Sequence, residues 1–373
     1  MKIARIDAFQ IDLPYAGGTY HLSGGRTYHS FDATIVRVTA DNGLEGWGES
    51  TPFGSTYVAA HAKGVRAGLA EIAPGLIGAD PRHVDRLSDR MDELLRGHSH
   101  VKAPIDVACW DLFGQAVGMP VCDLLGGRTE HALPTISSIH AGDPEDMRAR
   151  VADHRRRGYR GHSIKIGALD RDGGPALDAE RIAASLADRE PGEFYLVDAN
   201  GGLTPETALR MIGLLKPGLD FVLEAPCTTW AETMSLRRRC SIPIFLDELV
   251  SDDESVAQMI ADDVADGIGL KITKNGGLTK GRRQRDMCIA AGKAMTVQDT
   301  VGSEIAFAAI VHLGQSVPER SLRCILDCRD MVALRTAEFD APKADGGVRA
   351  PAVPGLGVKP DLGVLGEPVA SWA

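Results

Sequence analysis

The sequence predicts an α/β protein: a (β/α)8-type, TIM-like barrel preceded by an N-terminal α+β capping domain. Three observations carry this. Short apolar runs recur through the last two thirds of the chain, each ending in a polar residue and each followed by a helix-length segment. Their spacing is nearly constant. No Gly-x-Gly-x-x-Gly turn and no Gly-x4-Gly-Lys-Ser/Thr loop follows any of them, which disfavours an open nucleotide-binding sheet, the runner-up.

The first third reads as a separate unit. Phe9, Ile11 and Leu13 alternate as in a half-buried strand. Residues 31–39 form a second apolar run, Asp41-Asn42-Gly43 supplies a turn and 44–49 return, which makes a hairpin. Val101, Ile105, Ala108 and Leu112 recur as the buried stripe of a helix ending near Gly118. Leu124-Leu125-Gly126-Gly127 punctuates the boundary. The barrel strands follow: one near Leu133–Ile139, then Ser163–Lys165, Phe194–Asp198, Phe221–Glu224, Ile244–Asp247, Ile268–Lys271, Met295–Asp299 and Cys324–Asp327. From Lys165 onward the strand ends fall 23 to 33 residues apart, room for one helix, two loops and the next strand. The Gly- and Pro-rich tail is expected to leave the barrel and pack back on the first domain. The expected division is a capping domain over 1–128, the barrel over 129–330 and a returning segment over 331–373.

Composition narrows the function classes. At 373 residues the chain exceeds one ordinary compact domain, and 44% apolar with 25% charged residues is a globular balance. Forty-one basic against fifty-one acidic residues give a net charge of −10 with no strong basic patch, so nucleic acid is not an expected partner. No apolar run is long enough for a membrane helix. Met1 to Arg5 lacks the apolar core of a signal peptide, and the seven scattered cysteines form no Cys-x-x-Cys pair. The expectation is a cytoplasmic protein with reduced thiols. Its expected partners are a small-molecule carboxylate and further copies of the same chain.

In a barrel, polar residues at the C-terminal strand ends converge on one mouth. Strands three, four and five end in Asp198, Glu224 and Asp247. Three neighbouring carboxylates repel one another unless a cation lies among them, and all-oxygen ligands favour a hard ion such as Mg2+. Strands two and six end in Lys165 and Lys271, in a chain with only 11 Lys against 30 Arg. These strands are diametrically opposed in an eight-stranded barrel, so the two amines should face each other across the mouth. A metal and nearby cations would lower a lysine pKa and make it a usable base. Such a pair could remove the proton next to a substrate carboxylate and stabilise the enediolate. The intermediate could then be reprotonated from the other face or expel a β-hydroxyl. Lys274 is read as a surface or supporting residue, Glu248 and Asn200 as supporting groups or helix caps.

The motifs together resemble the enolase superfamily, in its muconate-lactonizing-enzyme subgroup. They include Ala103-Pro104-Ile105-Asp106 with Trp110-Asp111 and Gly114, and Ile164-Lys165-Ile166-Gly167. They continue through Val197-Asp198-Ala199-Asn200, Leu223-Glu224-Ala225-Pro226, Leu246-Asp247-Glu248 and Lys271-Ile272-Thr273-Lys274-Asn275-Gly276-Gly277-Leu278. The resemblance implies a cap over a barrel, Asp198, Glu224 and Asp247 as Mg2+ ligands, and Lys165 and Lys271 as the acid/base pair. One departure is Ser163, where much of the subgroup has a first lysine two residues before the second.

Further stretches resemble hydroxyproline-processing members: Tyr20 to Gly25 with Phe31-Asp32-Ala33-Thr34, Gln298-Asp299-Thr300-Val301-Gly302, and Pro354 to Pro360. That likeness implies dehydration of cis-3-hydroxy-L-proline to 1-pyrroline-2-carboxylate, with epimerisation or racemisation of a proline derivative second. Asp299 is then a candidate partner for the cationic ring nitrogen, with a helix N-cap before Gly302 as the alternative. Tyr20, Ser23 and Tyr57, in Gly-rich capping loops, are candidate substrate contacts.

Overall fold

The computed structural model describes residues 1–344 and 346–373. The chain opens with three antiparallel strands, β1 (Ile3–Pro14), β2 (Ser30–Ala40) and β3 (Glu45–Ser50). β1 and β2 pair from Ile3↔Ala40 to Pro14↔Ser30, and β2 pairs with β3 across the predicted turn. Between β1 and β2 a short hairpin pairs Tyr20–Leu22 with Arg26–Tyr28. Helices α1 (Ala62–Ile72), α2 (Val84–Leu94) and α3 (Ser99–Val117) follow. α3 ends at Gly118, where φ is +71°, a value glycine adopts without penalty. It is buried almost all round because it lies between the cap sheet and the barrel. Contact with β3 is so close that a Cβ on Gly48 would stand 2.0 Å from the Pro104 carbonyl oxygen.

The barrel is closed and parallel. Its strands are β4 (Thr135–Ile139), β5 (Gly161–Lys165), β6 (Phe194–Asp198), β7 (Val222–Glu224), β8 (Ile244–Leu246), β9 (Gly267–Lys271), β10 (Ala294–Gln298) and β11 (Leu322–Leu326). Asp247, Asp299 and Asp327 therefore stand one residue beyond their strands. The outer helices are α4 (Pro144–Arg156), α5 (Gly174–Leu186), α6 (Pro205–Leu214), α7 (Trp230–Arg237), α8 (Asp253–Asp262), α9 (Leu278–Ala290) and α10 (Glu304–Gln315). Asp143, Thr204, Thr229 and Asp252 cap four of them through side-chain oxygens, which satisfies otherwise orphaned N–H groups. After β11 only a single turn, Cys328–Met331, stands where an eighth helix would be. The chain then returns to the cap, and β12 (Ala370–Trp372) pairs antiparallel with β1 from Ile6↔Trp372 to Ala8↔Ala370.

Buried carboxylates of the cap hold the barrel. Glu49 on β3 accepts from the Ser303 amide at 2.9 Å and its hydroxyl at 2.6 Å, at the start of α10. Asp106 on α3 accepts from the Thr279 amide at 3.0 Å and from its hydroxyl, at the start of α9. Both place negative charge at a helix N-terminus. Burial pushes the Asp106 carboxyl up to about 6, against the hydrogen bonds from Thr279.

A carboxyl that titrates at about 6 when folded and near 3.8 when unfolded keeps its proton in the folded chain over that window. Its contribution to stability is full below the lower value and is lost as pH rises through the upper. From pH 5 to pH 7 the wild type should therefore lose about 1 kcal/mol relative to Asp106→Asn. Urea unfolding of both proteins at the two pH values measures this, and parallel pH dependences would contradict it.

Candidate active site

Strand register brings the charged residues to one rim. Lys165 pairs with Asp198, Asp198 with Glu224, and Lys271 with Gln298. Counting either way round the barrel, β5 and β9 are four strands apart, so Lys165 and Lys271 approach from opposite sides. Both line a small cavity between the barrel mouth and the cap loops, together with Ser163, Asp299, Tyr20 and Tyr57. Asp198, Glu224 and Asp247 are each 1% exposed and form the rim beside it.

The acids and lysines are paired. Lys165 Nζ donates to Asp198 Oδ2, and Lys271 Nζ donates to Asp247 Oδ2 at 2.5 Å. Lys274 Nζ donates to Asp247 Oδ1 at 2.9 Å and to the Val250 carbonyl at 2.7 Å. Burial favours the neutral amine, but Asp198, Tyr20 and Glu224 outweigh it, and the Lys165 ammonium is held above its ordinary value. Lys271 is raised for the same reason, by Asp247, Glu248 and Glu224. Each ammonium rests directly on a carboxylate, which raises both lysines; the expected lowering is a property of the site with its cation bound. Burial also opposes the charged form of Asp247, yet Lys271 and Lys274 hold it below the usual carboxylate range.

Glu224 has much weaker compensation. Among the described residues its one side-chain hydrogen bond comes from the Gln298 amide at 3.3 Å, and burial with the charges of Asp198 and Asp247 drives its carboxyl well above the usual range. Glu248 is pushed up to about 7 by burial and by the same two neighbours. Asn200 Nδ2 bridges Asp198 at 3.0 Å and Glu248 at 3.1 Å. Asn200 and Ala225, just beyond Asp198 and Glu224, hold φ values of +44° and +41°. Strained backbone of this kind persists where the surroundings enforce it, commonly at functional sites.

This donor set fits a hard divalent cation. The oxygens come from three adjacent strand ends, Glu224 is weakly compensated, and Asn200 Oδ1 and Glu248 Oε2 are buried with no hydrogen-bond partner among the described residues. Among the described residues no three acidic, His or Cys side chains already converge as a cage, since Asp198 and Asp247 each commit an oxygen to a lysine.

The other candidate residues separate. Tyr20 lines the cavity and its hydroxyl pairs with that of Ser138 at 2.6 Å. Tyr57 reaches the rim and donates to Asp247 Oδ2 at 2.8 Å. Asp299 also lines the cavity, but its oxygens accept from Thr273 and, at 2.8 Å, from the Thr300 amide. It does not cap α10, which starts at Glu304 with Glu49 at its N-terminus. Burial pushes Asp299 up to about 6. Ser23 does not line the cavity between the lysines: its hydroxyl donates to the Ile166 carbonyl and ties the 20s hairpin to the loop after β5. Lys274 is buried at 4% exposure, not on the surface. Sequence reasoning missed Ser138 and Gln298 as cavity residues; Gln298 could have been found as the register partner of Lys271.

Comparison with known proteins agrees with this architecture. Residues 146–364 match the enolase C-terminal domain-like family, and residues 20–126 match the mandelate racemase/muconate lactonizing enzyme N-terminal domain. The chain is 40% identical to cis-3-hydroxy-L-proline dehydratase of Roseibium aggregatum, covering 100% of both. It is 27% identical to an N-succinyl-L-Arg/Lys racemase of Bacillus cereus over 85% of each chain. A mandelate racemase/muconate lactonizing enzyme-type structure from Roseovarius nubinhibens, solved with magnesium, superposes with a TM-score of 0.99 at 58% identity over 100% of both chains. The chain belongs to the mandelate racemase/muconate lactonizing enzyme family of the enolase superfamily.

Proposed function

We propose that the protein dehydrates cis-3-hydroxy-L-proline to 1-pyrroline-2-carboxylate. The observation that carries this reading is the opposition of Lys165 and Lys271 across one small cavity beside buried carboxylates. Full-length likeness to the Roseibium dehydratase supports the choice of substrate. In the cis isomer, hydroxyl and carboxylate share one face of the ring, so the C2 proton lies on the other. Loss of water is then an anti elimination, which calls for a base on one face and a proton donor on the opposite one.

The two lysines supply those roles. One, as the neutral amine, takes the C2 proton. The C2–H electron pair becomes the C2=C3 double bond as the C3–O bond breaks, and the other lysine, as ammonium, gives its proton to the departing hydroxyl. The resulting enamine tautomerises to the cyclic imine. Asp198, Glu224 and Asp247 are the residues that would hold Mg2+, which would compensate their charge, relieve their hold on the lysines and attract the substrate carboxylate. Asp299 is the acidic group of the wall suited to the ring ammonium. Tyr20 with Ser138, and Ser163, present hydroxyls to the ring.

The opposed lysines also fit a second reading, racemisation or epimerisation at C2 of a proline derivative. Incubation of cis-3-hydroxy-L-proline with enzyme and magnesium in deuterated water decides between them. The dehydratase gives a product lighter by one water; a product deuterated at C2 with its hydroxyl intact makes the enzyme an epimerase. Lys165→Ala and Lys271→Ala are each expected to lower kcat by about 100- to 10,000-fold, measured by product formation. If either variant keeps wild-type turnover, that lysine is not part of the pair. Glu224→Gln should weaken magnesium binding at least about 10-fold by titration calorimetry. Unchanged affinity would remove Glu224 from the ligand set.

A further inference from the structure

Tyr57 belongs to the cap, yet its hydroxyl lies within the charged rim of the barrel. It donates to Asp247 Oδ2 at 2.8 Å and also touches Lys271 Nζ, and that ammonium stands 4.8 Å from the centre of the Tyr57 ring. Burial, with the nearby carboxylates of Asp247, Glu248 and Asp198, keeps the phenol protonated. With its proton directed to Asp247, the phenol oxygen is the acceptor and Lys271 is the donor. The ring is supported from the cap: Phe53 packs edge-on at 5.5 Å and itself packs on Phe31 at 4.7 Å and Tyr20 at 5.1 Å.

We propose that Tyr57 is a positioning residue for Lys271: its phenol oxygen holds the Lys271 nitrogen at the cavity edge and so fixes the proton-transferring group on one face of the ring. The chemistry rests on the dehydratase reading; the geometry does not. Lys271 has one other close partner, Asp247, and that carboxylate is also drawn by Lys274. Whenever Asp247 turns away, the amine keeps Tyr57. One N–H fixed on the phenol oxygen leaves the other positions of the nitrogen for Asp247 and for the cavity that Lys271 lines. Lys165 differs, since its hydrogen-bond partner among the described residues is Asp198 alone. The two lysines are thus unequal, and Lys271 is the one coupled to the seating of the cap loop. The sequence reading made Tyr57 a substrate contact; here it acts through Lys271.

Tyr57→Phe keeps the ring and removes only the hydroxyl. With cis-3-hydroxy-L-proline and magnesium, kcat should fall about 10- to 100-fold, the scale of a misplaced catalytic group, with KM little changed. Independently of turnover, brief labelling with acetic anhydride at one pH, read by mass spectrometry, should modify Lys271 several-fold faster in Tyr57→Phe than in wild type, with Lys165 unaffected. A rise in KM with kcat and Lys271 labelling unchanged would make Tyr57 a substrate contact and overturn the proposal. Unchanged labelling alone also overturns it. A labelling difference in a protein that leaves cis-3-hydroxy-L-proline intact supports the positioning role while removing the dehydratase reading.

Discussion

Charge balance at the barrel rim is the constraint on which the rest depends. Asp198, Glu224, Asp247 and Glu248 are packed together with three ammonium groups, those of Lys165, Lys271 and Lys274. In so buried a setting like charges repel strongly and each must find a partner. Asp198 has Lys165 and Asn200; Asp247 has Lys271, Lys274 and Tyr57. Glu224, on the middle strand of the three, has one long bond from an amide. Fully ionised, the four acids would outnumber the three ammonium groups, and the least compensated of them, Glu224, lies where oxygens from three strands meet. That crowding, more than any single acid, is what suits the rim to the cation proposed for it.

A rim of this kind is enclosed only if the cap is seated on it, because Tyr20, Leu22, Phe53 and Tyr57 of the cap close one side of the cavity. Tyr20 and Tyr57 descend from the cap, while Ser138, Ser163 and the two lysines rise from the barrel. The seam is built from apolar residues of both parts: Phe9, Leu13, Tyr20, Phe31 and Phe53 of the cap pack with Val301 and Ile305 of the barrel. Glu49 and Asp106 add direction, since each is aimed at the first amides of a barrel helix. Apolar contact alone would tolerate sliding; hydrogen bonds to two helix ends do not. The close approach of Gly48 to Pro104 brings α3 within the reach that Asp106 needs.

How much of this was legible follows from the range over which each residue acts. A buried strand tolerates a charge only at its end, so Lys165, Asp198, Glu224, Asp247 and Lys271 mark the ends of their apolar runs, and their spacing reveals a barrel. Lys274 was harder. Three residues past a strand end reads as surface loop, but Ile272–Asn275 forms a helical turn closed by Gly276 at φ +98°, which folds the amine back under Asp247. Asp299 was misread as a possible helix cap because the acid that serves α10, Glu49, lies in another domain. Ser23 and Tyr57 sit in similar Gly-rich loops, yet one pins backbone and the other reaches the rim. Spacing along the chain fixes which residue ends a strand; it holds no information on where a loop side chain lands across a domain seam.

The pairing of acids with lysines also sets the order of dependence within the site. Asp198 and Asp247 cannot serve a lysine and a cation fully at once, because each oxygen that turns to one leaves the other. Contact with the carboxylates raises both lysines above their ordinary value and favours the ammonium form. Any charge that draws the carboxylates away lowers the lysines by the same free energy with which the lysines oppose that charge. Base strength and cation affinity are thus two readings of one coupling. On the proposed reading, a cation held by the acids would draw them from Lys165 and Lys271 and so bring either amine nearer to serving as the base.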